Sequence, residues 1–445
     1  MKIKEALKYF NIISNDNRNA RYLVNNSKLM KKYAIFIAID KGVNYIAKLN
    51  PKPLIIISNK KVDGVFYIPN LKEEIGAFCN YFYNIKKDRP HLIGIVGTNG
   101  KTSVATILHH LLPKSSLVTT IKNIKDSYLS VNTTPDAVEL ANDIVKARKR
   151  KYHFLILEVS SIGIKENRVK GFEFDYLIFT NLTEDHLDYH HSLKDYQDTK
   201  MNFLRESKAI LVANNDDKFG KDLVKTRYLT MGYELDEHVI LKESLKGTKF
   251  YFDNNIYETQ LIGRFNVENL LAVLTLLKIL GKTVNEKALK NMPPIRGRMD
   301  VVNANPCVII DYAHTIEALK ESLQVTKKLT KNRLVLILGA GGERDKSKRK
   351  EYGKLALTYG DKIYLTNDNP RHEDEMAIIN DIMDGNNDKF IVILKRSLAI
   401  QKALKDLNEG DILLILGKGH EDYQIINDDK LHYSDYEEVN KWLMS

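Results

Sequence analysis

Cysteine is almost missing from this chain: 445 residues include two, Cys79 and Cys307, far apart in sequence. That excludes a disulfide framework and a zinc site built on cysteine, and it fits a reducing cytosol. Long apolar runs are missing too. No stretch approaches the roughly 20 apolar residues of a membrane-spanning helix. Lys2 and Lys4 are not followed by the apolar segment of a secretory signal, so a cytoplasmic protein without membrane insertion is expected. There are no obvious repeats and no low-complexity tracts. One absence is local: the run Gly94-Ile95-Val96-Gly97-Thr98-Asn99-Gly100-Lys101-Thr102 has Ile95 where the standard G-x-x-x-x-G-K-[ST] phosphate loop has its first glycine.

What is present is ordinary globular composition, 43% hydrophobic and 28% charged, in a chain too long for a single core. The net charge of +11 suits nucleic acid, an anionic surface or polyanionic small molecules. The lysines are scattered, and the basic run at 146–151 reads as a solvated helix face, so anionic substrates are favoured over nucleic acid.

Strand-like apolar runs at 34–38 and 54–57 give residues 1–88 the look of a small α/β unit, and Lys86-Lys87-Asp88-Arg89-Pro90 reads as a linker. From 89 to 296, strands at 92–96, 154–157, 176–180 and 209–213 alternate with helical stretches, which predicts a parallel, doubly wound sheet. Met292-Pro293-Pro294-Ile295-Arg296-Gly297 marks the next boundary. Strands at 308–310, 334–338, 362–365, 390–394 and 412–416 then predict a Rossmann-like unit over 297–445. The fold class is therefore α/β in three domains.

The chemistry gathers at strand ends. The shortened loop G-x-x-G-K-T sits between a strand and a helix predicted at 103–112, where free backbone N–H groups cradle phosphate. Lys101 would reach the outer phosphates and the Thr102 hydroxyl would face Mg²⁺. Glu158, in Leu157-Glu158-Val159-Ser160-Ser161, is a carboxylate at a strand end and suits Mg²⁺, although a Glu-Ser pair also caps helices. Thr180-Asn181-Leu182-Thr183-Glu184-Asp185-His186-Leu187-Asp188-Tyr189-His190-His191 offers acids and histidines for metal or phosphate chemistry. Lys200, alone on a helix, carries no signal of its own.

Together with Gly263-Arg264-Phe265-Asn266-Val267-Glu268-Asn269, these motifs stand in the order seen in Mur ligases, and the chain resembles that family from about Gly94 to about Gln424. Asp311-Tyr312-Ala313-His314-Thr315, Gly341-Gly342-Glu343-Arg344-Asp345-Lys346, Asp368-Asn369-Pro370-Arg371 and Gly417-Lys418-Gly419-His420-Glu421-Asp422 resemble its MurE branch, which adds the third residue of the peptidoglycan stem peptide.

The resemblance implies an ATP-dependent amide ligase working through an acyl phosphate. It joins meso-2,6-diaminopimelate to the D-Glu carboxylate of UDP-MurNAc-L-Ala-D-Glu. It also implies a UDP-binding N-terminal domain, a central ATP-binding domain and a C-terminal amino-acid-binding domain, in a monomer. Gly97, Thr98, Asn99, Gly100, Lys101, Thr102 and Ser103 would hold ATP, with Asn266, Asn269, Arg298 and Asp311. Lys101, Glu158, His186 and Lys200 would be catalytic, and Thr102, Glu158, His186 and Lys200, the last as a CO₂-derived carbamate, would serve Mg²⁺. Asn132, Thr133, Thr134, Ser160 and Arg168 match positions for the UDP-substrate, with two departures: Ile162 where the family often has His, and Glu166 where it often has Gln. Arg344, Asp368, Asn369, Pro370, Arg371, Gly417 and Glu421 match those for diaminopimelate, whose second carboxylate Arg371 can grip bidentately. A lysine-adding relative, a folylpolyglutamate-synthetase-like ligase and a nucleic-acid-stimulated ATPase are the alternatives.

Overall fold

The computed structural model describes residues 1–122, 124–236 and 239–444. Short apolar, β-branched runs build its sheets. The first has four parallel strands in the order Tyr22–Val24, Ala34–Ala38, Ile55–Ser58 and Phe66–Tyr67. The helix Leu71–Tyr83 then runs toward the central sheet. Leu71, Ile75, Phe78, Cys79 and Phe82 recur on one face of it and are buried, so Cys79 is a core residue. One continuous core joins Ile35, Ile57 and Phe78 to Leu92, Leu157 and Phe179 of the central sheet. The stretch 86–90, expected as a linker, is a short turn between packed units, and Arg89 ties it to Asp175 at 2.5 Å.

The central sheet has seven parallel strands in the order Thr230–Tyr233, Ile210–Asn214, Tyr176–Phe179, His91–Val96, Phe154–Val159, Ser115–Thr119 and Ser127–Leu129. His91–Val96 thus lies between Phe154–Val159 and Tyr176–Phe179. The carboxyl ends of three adjacent strands meet there, the position where open α/β sheets bind ligands. The largely buried helix Arg264–Ile279 packs against Lys101–Leu111 and braces the helix behind the phosphate loop.

The third sheet has six strands in the order Asp300–Ala304, Cys307–Asp311, Ile412–Leu416, Leu334–Leu338, Lys362–Leu365 and Ile391–Val392, parallel except for the first pair. Apolar clusters cover both of its faces. Among the described residues, no helix is long and apolar enough to cross a membrane.

Candidate active site

The polar strand ends of the central and C-terminal sheets face each other across a cleft of about 830 Å³. The phosphate loop forms one wall, and its shape depends on glycine. A β-carbon on Gly97 would stand 1.9 Å from Thr180 Oγ1. Gly100 has φ +83°, and a β-carbon there would stand 2.4 Å from Asn269 Oδ1. The turn thereby presents the N-terminus of Lys101–Leu111, with its unpaired N–H groups and positive dipole end, to the cleft. Asn181 Oδ1 accepts the Asn99 N–H at 2.8 Å, and Lys101 Nζ donates to the carbonyls of Gly97 (3.0 Å) and Thr98 (2.7 Å). Ser103 is buried behind Thr102.

Glu158 is buried at the end of its strand and accepts the Thr102 hydroxyl at 2.9 Å. Burial pushes its carboxyl above the usual range, although Lys101 and Arg298 pull the other way. His186 occupies a left-handed turn (φ +53°) beside Asp185, with Nε2 3.4 Å from Asp185 Oδ2. Burial pushes its imidazole down to about 4, so near neutral pH the ring is uncharged and keeps a lone pair for a metal. Among the described residues, no group of three or more His, Cys, Asp and Glu makes a self-sufficient metal cage. The donors that are present fit a different use: Mg²⁺ commonly takes one or two carboxylates and completes its shell with phosphate oxygens and water, which Glu158 and Thr102 at the mouth of a phosphate loop allow.

Lys200 lies under the loop and does not line the cleft. Its buried amine donates to Gly97 O at 2.9 Å and to the Tyr196 hydroxyl, which in turn meets the Thr98 hydroxyl at 2.8 Å. Burial and the nearby positive charge of Lys101 push the ammonium far below its usual range.

Arg298 reaches over from the opposite wall. Its Nη2 donates to Thr102 Oγ1 at 3.2 Å, and its guanidinium lies 4.6 Å above the Tyr312 ring. Asp311 holds that wall in place by accepting the N–H groups of Met299 (2.6 Å) and Ala313 (2.7 Å). Asn269 lines the cleft, whereas Asn266 sits deeper and donates to the Ile262 carbonyl at 2.7 Å.

Of the residues matched to the UDP-substrate, Asn132, Thr133 and Ser160 line the cleft, as does Ile162. Thr134 is buried behind them with its hydroxyl on Ser160 Oγ at 2.9 Å. Arg168 donates to the Thr134 carbonyl at 3.1 Å and opens onto a separate cavity of about 160 Å³ between the N-terminal and central units. Glu166 brings no free negative charge to that cavity, because Lys72 pairs with it at 2.5 Å and the Tyr189 hydroxyl donates to it.

Of the residues matched to diaminopimelate binding, Arg344 and Glu421 line the cleft, while Asp368, Asn369, Pro370, Arg371 and Gly417 do not. Glu421 Oε2 accepts from Asn369 Nδ2 at 3.0 Å and from Lys418 Nζ at 3.1 Å. Gly417 has φ +104°, and a β-carbon there would meet Asp368 Oδ2 at 2.5 Å. Arg371 Nη1 donates to Gly342 O at 2.7 Å, which fixes the direction of its guanidinium.

Sequence reasoning did not single out Lys418, fully buried among Asp368, Asn369 and Glu421, nor His314 and His420 on the cleft wall. All three stand inside motifs that the sequence does display. Lys348, which pairs with Asp185 at 2.9 Å, gives no signal beyond one more lysine in a basic helix.

The fold and this cleft define a class. Residues 95–277 match the Mur ligase middle domain and residues 297–419 match the Mur ligase glutamate ligase domain. The chain belongs to the Mur ligase family. Within it the chain falls in the MurE branch. It is 37% identical to the UDP-N-acetylmuramoyl-L-alanyl-D-glutamate--2,6-diaminopimelate ligase of Haemophilus ducreyi, over 85% of this chain and 82% of that one. It is 35% identical to the protein of the same name from Aquifex aeolicus, over 94% and 92%. A solved structure of a ligase of that name superposes with a TM-score of 0.66 at 27% identity, covering 100% of this chain and 99% of that one.

Proposed function

We propose that this protein joins meso-2,6-diaminopimelate to the D-Glu carboxylate of UDP-MurNAc-L-Ala-D-Glu with hydrolysis of ATP to ADP and phosphate, as a cytoplasmic monomer in peptidoglycan precursor synthesis. The observation that carries this reading is the cleft, in which a phosphate loop on one unit faces Arg344 and Glu421 on another. The names of its relatives supply the substrates. Residues 1–88 would take the UDP end, 89–296 the ATP and 297–445 the amino acid.

The chemistry follows from the positions. Lys101 would leave the carbonyls of Gly97 and Thr98 for the outer phosphates, assisted by the backbone of residues 97–103 and by Arg298. Asn266, Asn269 and Asp311 would support the nucleotide side. Thr102, Glu158 and His186 would hold Mg²⁺, which neutralises phosphate charge when bound. The substrate carboxylate, held by Asn132, Thr133, Ser160 and, through Thr134, Arg168, would attack the γ-phosphorus and release ADP. The amine of diaminopimelate, having lost its proton, would then attack the acyl carbon, and the collapse expels phosphate and leaves the amide. Lys200, buried and tilted toward the neutral amine, is suited to react with CO₂. The carbamate would turn a cation into an anionic oxygen donor beneath the loop.

Arg371 is the specificity element in this reading. Diaminopimelate carries a distal carboxylate that lysine lacks, and Arg371, its guanidinium directed by Gly342 just behind the cleft wall, would turn its remaining N–H groups to it. Asp368, Asn369, Pro370, Gly417 and Lys418 would position Arg371 and Glu421, and Glu421 would face the distal ammonium. The test is product formation: purified protein with ATP, Mg²⁺, UDP-MurNAc-L-Ala-D-Glu and diaminopimelate gives the UDP-tripeptide and one phosphate per amide. ATP turnover without that product refutes the assignment.

A further inference from the structure

We infer that Lys348 is a positioning residue that sets the His186 turn when the C-terminal unit packs against the central one. Asp185 follows the strand Tyr176–Phe179, whereas Lys348 lies in the helix Ser347–Tyr359 of the other unit. Lys348 Nζ donates to Asp185 Oδ1 at 2.9 Å, and each side chain is 9% exposed. The same Oδ1 accepts the backbone N–H of His186 at 2.9 Å. His186 has φ +53°, a left-handed conformation uncommon for a residue other than glycine. Asp185 is the clip of that turn, and Lys348 is the counter-charge of the clip.

A second contact on Asp185 also comes with the C-terminal unit: His314 Nε2 lies 3.9 Å from Asp185 Oδ2. A buried ion pair holds firmly only while both partners are present, because removing one strands the other charge. With the units apart, Asp185 loses its bonded cation Lys348 and the clip loosens. A second tie joins the same two segments, Arg344 to Asp188 at 2.9 Å, but these side chains are 57% and 31% exposed, and such surface pairs contribute little. Lys348 does not line the cleft, so it acts through Asp185 rather than on a substrate. Packing of the two units and orientation of the His186 ring are thereby one event.

The kinetic part of the test rests on the ligase reading above, and the scattering part does not. Lys348→Met, Lys348→Arg and the wild-type full chain are compared by steady-state kinetics and by small-angle X-ray scattering with and without ATP. The expected result for Lys348→Met is a kcat lower by about tenfold or more with KM for ATP nearly unchanged, together with a larger radius of gyration. Lys348→Arg is expected to recover most of both. Unchanged kcat and radius in Lys348→Met overturn the proposal. So does an Arg variant as impaired as the Met variant, since that indicates packing rather than charge. If the wild type forms no amide, the ligase reading fails and the scattering comparison alone decides for or against the tie.

Discussion

Gly97 carries a sharp constraint at the phosphate loop. A methyl at its α-carbon would overlap Thr180 Oγ1, so Gly97→Ala must displace either the loop or the neighbouring strand end. We expect KM for ATP to rise by about tenfold or more with little change in melting temperature, and nucleotide titration checks it. Lys200 supports a second prediction. Lys200→Ala should lose most activity, and added formate or acetate should restore part of it by supplying a carboxylate where the carbamate would stand; full activity without rescue removes the assigned metal role. Gly97 and Lys101 are legible in sequence because phosphate binding needs their types at fixed spacing. Lys200 is legible only through family resemblance, since what distinguishes it, complete burial beside Tyr196 and Gly97, is a tertiary fact. Lys348 is hidden for the same reason: a lysine run predicts solvent, and the partner that buries this one lies 163 residues away.

Among elements, two helices of the C-terminal unit are tied by a buried ion pair. Arg396, at the start of the helix Arg396–Lys405, pairs with Asp435 of the last helix, Asp435–Leu443, at 2.8 Å with both side chains fully buried, and its Nη2 also donates to the Leu416 carbonyl. Asp435→Asn leaves that guanidinium uncompensated and should cost about 3–5 kcal/mol in denaturant unfolding. Glu373 is held by hydrogen bonds from Arg349 at 2.7 Å and from Lys346, which depress its carboxyl far below its usual value of 4.5. A depressed acid stabilises the fold fully above its unfolded value, and that stability disappears as pH falls through the folded one. The melting temperature of the wild type should therefore drop as pH is lowered below about 4.5, and the drop should be shallower in Glu373→Gln.

Element type was readable at continuous apolar runs such as Leu334–Leu338 and Ile412–Leu416, whereas the run at 390–394 forms only the short, exposed edge strand Ile391–Val392. Ser115–Thr119 escaped because its opening serines read as loop, yet both are buried, with the Ser115 hydroxyl on the Leu112 carbonyl at 2.7 Å. The antiparallel sheet Ile240–Ser244, Gly247–Phe252 and Asn255–Thr259 escaped because its strands are half exposed and rich in charge.

For the whole molecule, the alternation of strands and helices announced two doubly wound sheets, but not that the first 88 residues share a core with the central sheet. Nor could spacing along the chain show that Arg298 reaches Thr102 from 196 residues away, or that Arg371 bonds the carbonyl of Gly342. These contacts make the cleft, and the cleft is what gives the scattered motifs a common chemistry. Charge repeats the point at this scale: a net +11 suits polyanionic ligands, and Lys101, Arg298 and Arg344 converge on one cleft from distant parts of the chain. The most direct measurement is phosphate release by the purified protein with ATP, Mg²⁺ and UDP-MurNAc-L-Ala-D-Glu, comparing meso-diaminopimelate with L-lysine. Release that depends on diaminopimelate, and that falls at least about tenfold in Arg371→Ala, is the predicted result. Equal release with lysine, or an Arg371→Ala enzyme that uses diaminopimelate undiminished, contradicts the account of how this cleft selects its amino acid.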